Sequence, residues 1–576
     1  MVITAGVKSE VRFNVADIQQ DIPVSLRGFD FITAQLLLQR GIRTKEAADK
    51  FLSPKLEDLG NPSLFKDLDK AVARIKRAIA KKEHITVYGD YDVDGITSAT
   101  ILISVLKTLK AIVNVYLPER LKEGYGLNKK AIKKLREKGT DLLITVDNGT
   151  TNIDEIAYAN KLGMDVIVVD HHQIGNKLPL AYALINPHRP DDGYPDKNLA
   201  AVGIVYHLVR RLIGDGAAVK YLDLVALGTV ADVVPLIGDN RIFTVFGLKK
   251  LNKTERIGLK ALIDVASLKG KALGAYHIGF QLGPRINAAG RIDHAAKAFA
   301  LLNETDEARA YDVAHDLNSL NTKRQKMTEQ ILESALVHAG EWDNKKIIIV
   351  GDEGWSIGVA GIVAGRLTEK YSKPSMVFEY QKDICRGSAR SVDGVHLIEL
   401  LNNVDEYIQG YGGHAKAAGV TIKRAKFEDF KKALEQYALT TIHPDLLRPS
   451  VNISLLIEPN LADSRLFEII SRLAPFGFGN PTPVFGMKKV KLESYDAVGN
   501  AASIIRMIFS KGEQRVQITG FDRNGELILS LQEGSEFDVA FTISGSEWSS
   551  TRDSLRFGGK PRKFIDRKLV QLRQSV

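Results

Sequence analysis

With a single cysteine, Cys385, in 576 residues, the chain has neither a disulfide framework nor a cysteine-based zinc site, and no apolar run is long enough to span a membrane. Its 44% hydrophobic and 26% charged residues suit a soluble globular protein, and its length exceeds what one core organises, so several domains are expected. The net charge of +10 points to a polyanionic partner.

Residues 1–15 alternate polar and apolar side chains and lack the apolar region of a signal peptide, so a reducing, cytoplasmic setting is expected. Residues 31–51 and 67–82 have helical spacing broken at Gly41 and Pro54; a helical lead-in packed on the next domain is expected there. From residue 84, strands at 84–87, 113–117, 142–146 and 166–169 alternate with helices at 95–110, 128–138 and 153–162. That rhythm predicts an α/β domain built on a parallel sheet, with ligands gathering beyond the carboxyl ends of its strands. A long polar helix over 308–340 leads to a second, smaller α/β domain, with strands at 347–350 and 375–378 and a helix at 358–371. Beyond residue 450, strands at 451–457, 504–510, 515–521, 526–531 and 536–544 predict a C-terminal β-barrel of the OB type. It is basic (Lys511, Arg515, Arg556, Lys560, Arg562, Lys563, Arg567, Lys568) and interleaved with Phe541, Trp548, Phe557 and Phe564, the combination that grips single strands.

The strand ends carry the chemistry. Asp90, Asp92 and Asp94 crowd one strand-to-helix turn, where each carboxylate disfavours ionisation of the next unless a multivalent cation neutralises them. A solvated acidic turn would look the same taken alone. However, Asp147 and Asp170 follow two further predicted strands, and His171 and His172 come directly after Asp170. One sheet edge therefore receives acids from three strands and two imidazoles. Asp232, after a helix predicted over 221–230, reads by itself as a cap. The first turn lacks G-x-G-x-x-G and offers carboxylates where a nucleotide phosphate would sit. Oxygen-rich ligands select magnesium, manganese or calcium over zinc, and metals between carboxylates suit phosphoester hydrolysis.

In sequence order, Asp90-Tyr91-Asp92-Val93-Asp94-Gly95, Val146-Asp147-Asn148-Gly149, Asp170-His171-His172, Ile185-Asn186-Pro187-His188 and the stretch 228–236 resemble the DHH phosphoesterase superfamily. More closely they resemble its RecJ branch, the single-strand-specific 5′→3′ DNA exonucleases. The resemblance runs on through 282–291, Arg386-Gly387-Ser388-Ala389-Arg390, 412–419 and 473–483. It implies that Asp90, Asp92 and Asp147 hold one divalent ion, Mn2+ or Mg2+, and that Asp94, Asp147, His171 and Asp232 hold a second, with Asp147 as the bridge. It also implies that Asp170 orients His171 and that His172 contacts the scissile phosphate. Arg120, Arg291, Ser388 and Arg390 would anchor the DNA 5′ end. Gly412, Gly413 and His414 would hold phosphates of the strand, with His188 a further contact. Two positions depart from the family: Ser356 stands where a His is usual, and Ala201 where a Gly is usual.

The expected organisation is a helical lead-in (1–82), a DHH catalytic domain (83–245), a connecting helical region (246–340), a DHH-associated substrate-binding domain (341–445) and an OB-fold-like domain (446–576). The expected function is exonucleolytic degradation of single-stranded DNA in repair and recombination, by a monomer working beside a single-strand-binding protein and a helicase, with no membrane partner. Hydrolysis of small substrates (oligonucleotides, cyclic dinucleotides, pyrophosphate) is the alternative, which the chain length disfavours. A non-catalytic replication scaffold is disfavoured by the full ligand set.

Overall fold

The computed structural model describes residues 11–498, 503–522, 525–548 and 562–575. It divides into two compact units, one of residues 55–447 with 477–479, the other of residues 1–54, 448–476 and 480–576.

The first unit begins with a five-stranded parallel sheet in the order Ile112–Tyr116, His84–Gly89, Thr140–Val146, Asp165–Val169, Ala183–Ile185. Alternate side chains of its inner strands enter two separate cores. Leu142, Ile144, Val146, Ile167 and Val169 pack on one face with the helices Val93–Thr108, Ala201–Ile213 and Leu222–Ala231. Leu143, Val166 and Val168 pack on the other with Lys129–Glu137 and Ile153–Lys161. From His84–Gly89 the chain goes outward to one edge strand and then returns to Thr140–Val146 on the opposite side. The strand order therefore reverses at that central pair, and the residues just beyond them, Asp90 and Asp147, flank the reversal point where such sheets bind ligands.

The helix Glu307–Leu336, capped by the Asp306 side chain on Arg309 N, leads to a second sheet. Its order is Ile408–His414, Ala417–Lys423, Ile384–Arg390, Ser375–Tyr380, Ile348–Glu353, with only the last pair parallel. The sequence pattern had shown only the last two of these strands. Of the other three, Ile408–His414 has three glycines and is almost wholly exposed, while Ile384–Arg390 and Ala417–Lys423 alternate buried and open positions but bury mostly small residues, a weak signal in the sequence.

In the second unit, five long strands close a barrel: Phe485–Val498, Ile504–Lys511, Gln514–Phe521, Arg562–Gln574 and Glu536–Trp548, the last pairing back to the first. Three predicted strands take part, and two do not. The stretch 526–531 is instead a helical turn, Glu526–Leu529, started by Gly525 at φ 74° and tied down by Ile528 N donating to Asp522 Oδ2. A short apolar run does not distinguish strand from buried helix. The stretch 451–457 splits into Ser450–Ile453, which pairs with Arg12–Val15, and the two-residue Leu455–Leu456, which adds in parallel to the end of Phe485–Val498 beside the five barrel strands. Residues 12–54 also differ from expectation, because they belong to the second unit. Arg12–Val15 pairs in parallel with Ser450–Ile453, and Leu36, Leu37, Ala48 and Phe51 are buried in the barrel's core. The break expected at Gly41 is present: with Gly41 at φ 75°, residues 31–52 form two helices, Phe31–Leu38 and Lys45–Leu52. Arg556, Phe557 and Lys560 lie outside the described residues, as do the side chains of Trp548, Arg562, Lys563 and Phe564. Phe541 is fully buried, a core residue and not a platform for bases. Among the described residues no helix is long and apolar enough to cross a membrane.

Candidate metal centre

Three turns build the site. Strand His84–Gly89 runs into helix Val93–Thr108, whose cap is Asp92: its Oδ1 accepts from Asp94 N at 2.9 Å and Gly95 N at 3.1 Å. That fold-back needs glycine at 95, because a Cβ there would sit 2.6 Å from Asp90 N. The turn after Thr140–Val146 places Asp147 at φ 64°, and the residue after Asp232, Val233, is also at φ 64°. A left-handed backbone is costly for both types, most of all for a β-branched residue, and such strain concentrates at functional sites.

These turns converge. Ligand atoms of Asp90, Asp92 and Asp147 lie within 4.8 Å of one another, as do those of Asp94, His171 and Asp232, and those of Asp147, His171 and His172. His171 Nε2 is 3.3 Å from Asp147 Oδ1 and 3.6 Å from Asp232 Oδ2. Asp90 Oδ1, Asp147 Oδ1, His171 Nε2 and Asp232 Oδ2 are buried with no hydrogen-bond partner. Unsatisfied buried oxygens and an imidazole nitrogen are costly in a protein interior, and they fit cations bound among them. The electrostatics agree. Burial, then the charges of Asp94, Asp92, Asp232 and Asp90, push the Asp147 carboxyl well above the usual range. Burial, then neighbouring carboxylates, does the same to Asp90 and Asp94. Asp232 is raised by burial, against the charge of His171. Such a cluster is fully ionised near neutral pH only when cations neutralise it.

Asp94 has a second duty. Its carboxylate accepts from Ala201 N at 2.7 Å and Val202 N at 2.8 Å, at the start of helix Ala201–Ile213. Because a backbone N–H makes that contact, alanine serves at 201 as glycine would. Ser356, the other departure, caps helix Ile357–Tyr371 by accepting from Gly358 N at 3.3 Å.

Asp170 serves a different histidine from the one expected. Its Oδ1 accepts from His171 N at 2.8 Å, but its side-chain partner is His172, whose Nδ1 lies 2.8 Å away. The chain's turn after Val169 leaves the His171 ring facing Asp147 and Asp232 and sends the His172 ring back over Asp170. Burial alone would lower the His172 imidazole, but the hydrogen bond and charge of Asp170 prevail and raise it to about 9. Against its own burial, Asp170 is held below the usual carboxylate range by His172, His171 and Thr150 N.

A pocket of about 320 Å³ opens over these groups, lined by Asp90, Asp92, Arg120, His172, Asp232 and Arg291, and also by Tyr125 and Asn287. Burial, then the charges of Arg120, Arg324 and Arg390, lower the Arg291 guanidinium to about 10. Such a cluster of neighbouring guanidiniums calls for an anion. Arg390 Nη1 donates to Ser388 Oγ at 3.3 Å, and along Ile384–Arg390 residues 385, 387 and 389 are buried while 388 and 390 share the other face. His188 lies near His171 and His172, with its imidazole lowered by burial and then by the charge of His171. Gly412, Gly413 and His414 are exposed on the edge strand Ile408–His414 and do not line the pocket.

Tyr125 was not foreseen. Its hydroxyl donates to Asp147 O at 3.2 Å and lies 3.1 Å from His172 Nδ1, while desolvation, then the charges of Asp170 and Asp147, keep the phenol protonated. An aromatic held between Gly124 (φ 80°) and Gly126 (φ 82°) in a loop was the available signal. Tyr125→Phe is expected to cost about 1 kcal/mol, a several-fold fall in kcat with little change in KM, since the hydroxyl orients a ring and binds no strand. A raised KM at unchanged kcat would refute that assignment.

Residues 84–229 match the DHH family, N-terminal domain; residues 344–440 match the DHHA1 domain and residues 453–555 the RecJ OB domain. The chain is 36% identical over 553 residues to the single-stranded-DNA-specific exonuclease RecJ of Bacillus subtilis, covering 94% of this chain and 70% of that protein. It is 32% identical over 496 residues to the enzyme of the same name from Escherichia coli, covering 82% of this chain and 84% of that one. The crystal structure of RecJ in complex with Mn2+ from Thermus thermophilus superposes with a TM-score of 0.82 at 29% identity, over 98% of this chain and 80% of that one.

Proposed function

The chain belongs to the RecJ family of single-stranded-DNA-specific exonucleases, and on that premise we propose that it removes nucleotides from the 5′ end of single-stranded DNA by metal-dependent phosphodiester hydrolysis. The observation that carries this reading is the set of four orphaned buried ligand atoms, on Asp90, Asp147, His171 and Asp232, beside a pocket lined by the guanidiniums of Arg120 and Arg291. Two Mn2+ or Mg2+ ions held there by Asp90, Asp92, Asp94, Asp147, His171 and Asp232 would supply Lewis-acid activation of water and phosphate. His172, kept protonated by Asp170 and steadied by Tyr125, offers a proton-bearing ring to a phosphate oxygen. Arg120, Arg291, Ser388 and Arg390 would receive the terminal phosphate and so fix how far the end lies from the scissile bond. His188 and the backbone at Gly412, Gly413 and His414 would contact the strand elsewhere.

We assign catalysis to residues 83–245, connection to 246–340 and grip on the strand to 341–445 and 446–576. A monomer acting in the cytoplasm, beside a single-strand-binding protein and a helicase, completes the proposal.

The test uses 3′- and 5′-labelled single strands of DNA and RNA and a blunt duplex, with Mn2+, Mg2+ or chelator. Expected are mononucleotides from the 5′-labelled DNA strand at the first time points, no cutting under chelator and a resistant duplex. Early mononucleotides from the 3′ label, or cutting that survives chelation, would overturn the reading.

A further inference from the structure

Two aromatic rings stand in the open beside the site, unused by the chemistry above. Tyr276 and Phe280 are 57% and 64% exposed, and their rings stack with centroids 5.0 Å apart and 27° between planes. Solvent-facing rings of this size forgo the gain that burial would bring, so a pair left exposed suggests a ligand that covers it. They lie on the turn Ala275–His277 and the π-helical segment Ile278–Leu282, a form that occurs mostly as single turns within helices and is frequent at functional sites.

The position of this segment identifies its occupant. A Cβ at Gly283 would sit 3.3 Å from Ala231 Cβ, so the base of the aromatic turn abuts the residue before Asp232. The chain then passes directly into helix Gly283–Ile292, which sends Asn287 and Arg291 into the metal pocket. From Arg291 back to Phe280 is about 16 Å at helical rise. Following that helix backward gives the order guanidinium cluster, metal cluster, aromatic pair. Between the last two, Arg285 is held by the neutral acceptors Asn318 Oδ1 (3.0 Å) and Gln281 O (2.7 Å), which leaves its charge available to phosphates.

We propose that Tyr276 and Phe280 form a stacking platform for unpaired bases of the substrate strand, a few nucleotides to the 3′ side of the scissile bond. The proposal rests on the nuclease reading above and adds to it a reason for single-strand preference at this site. Bases have accessible π faces only when unpaired, and stacking tolerates any sequence because every base has such a face. A duplex passing the same point would present its backbone to the rings and gain nothing from them.

The experiment places 2-aminopurine at successive positions, from the second to the eighth, of a 5′-phosphorylated single strand bound to the full chain under chelator. Expected is quenching confined to one or two adjacent positions, lost at those positions alone in the variant carrying Tyr276→Leu and Phe280→Leu. With Mn2+ present, an abasic nucleotide at the quenched position should lower wild-type kcat/KM roughly tenfold, and the same lesion should cost the variant less than twofold. A quenching pattern unchanged in the variant, or an abasic penalty the same in both proteins, would overturn the proposal. If the double variant does not fold, Tyr276→Leu and Phe280→Leu made separately decide by the same two readouts. If the wild type leaves every strand uncut, the nuclease reading fails while the quenching still decides the platform.

Discussion

Asp147→Asn should abolish nuclease turnover while the protein stays folded. Asp147 is 1% exposed, and its carboxylate lies at the junction of two of the three candidate ligand groups. The amide keeps the shape but loses the charge that would hold both cations. If metal activation contributes several kcal/mol, kcat/KM falls on the order of a thousandfold or more. Asparagine is a better test than alanine because the backbone here is at φ 64°, a conformation asparagine tolerates and alanine does not. A second readout separates metal loss from unfolding. In wild type, Mn2+ should raise the melting temperature by binding the folded state. In Asp147→Asn the metal-free protein should be at least as stable, since one buried charge that its neighbours repel is gone, and the Mn2+ shift should shrink. Near-normal turnover in a folded variant would refute the assignment of Asp147 as the bridge.

Arg390→Ala should lose the enzyme's preference for a phosphorylated 5′ end. Two cations would cut a strand in either polarity, so direction has to come from groups that recognise an end. Ser388 and Arg390 share one face of their strand, and the Arg390 guanidinium is lowered by burial and then by Arg120, as expected for a cation waiting for an anion. A terminal phosphate carries more charge and more acceptor oxygens than an internal one, and arginine can take it bidentately. Losing a charge-assisted contact costs about 1.5–3 kcal/mol, roughly ten- to a hundredfold in kcat/KM on 5′-phosphorylated strands. Strands with a 5′-hydroxyl should lose much less. Equal losses on both ends would mean that Arg390 grips the strand in general and does not read its terminus.

The sheet of the catalytic half was legible because its signals are local. His84–Gly89, Thr140–Val146 and Asp165–Val169 are apolar and β-branched, and each runs straight into an acid. The barrel was legible in kind but not in detail. Phe485–Val498 carries Lys488, Lys489 and Lys491 and reads as surface, yet it pairs with three strands. Residues 526–531 look like a strand, but Asp522 and Gly525 turn them into a helix.

What the sequence determined by itself was the identity of the ligands, their delivery to one sheet edge, and the family, because residue type, strand-to-helix turns and motif order are all written along the chain. Only the tertiary structure decided which groups face one another. Asp170 follows the same strand as both histidines, and nothing in their order tells which ring turns back to it. Tyr125 reaches His172 from 47 residues away. Residues 12–54 precede the catalytic half in sequence, yet Leu36, Leu37 and Phe51 are buried with a barrel more than 400 residues downstream. Periodicity says that an apolar face must be buried but not against what. That choice belongs to packing, where surfaces distant in sequence compete for the same partner and the best-fitting one wins.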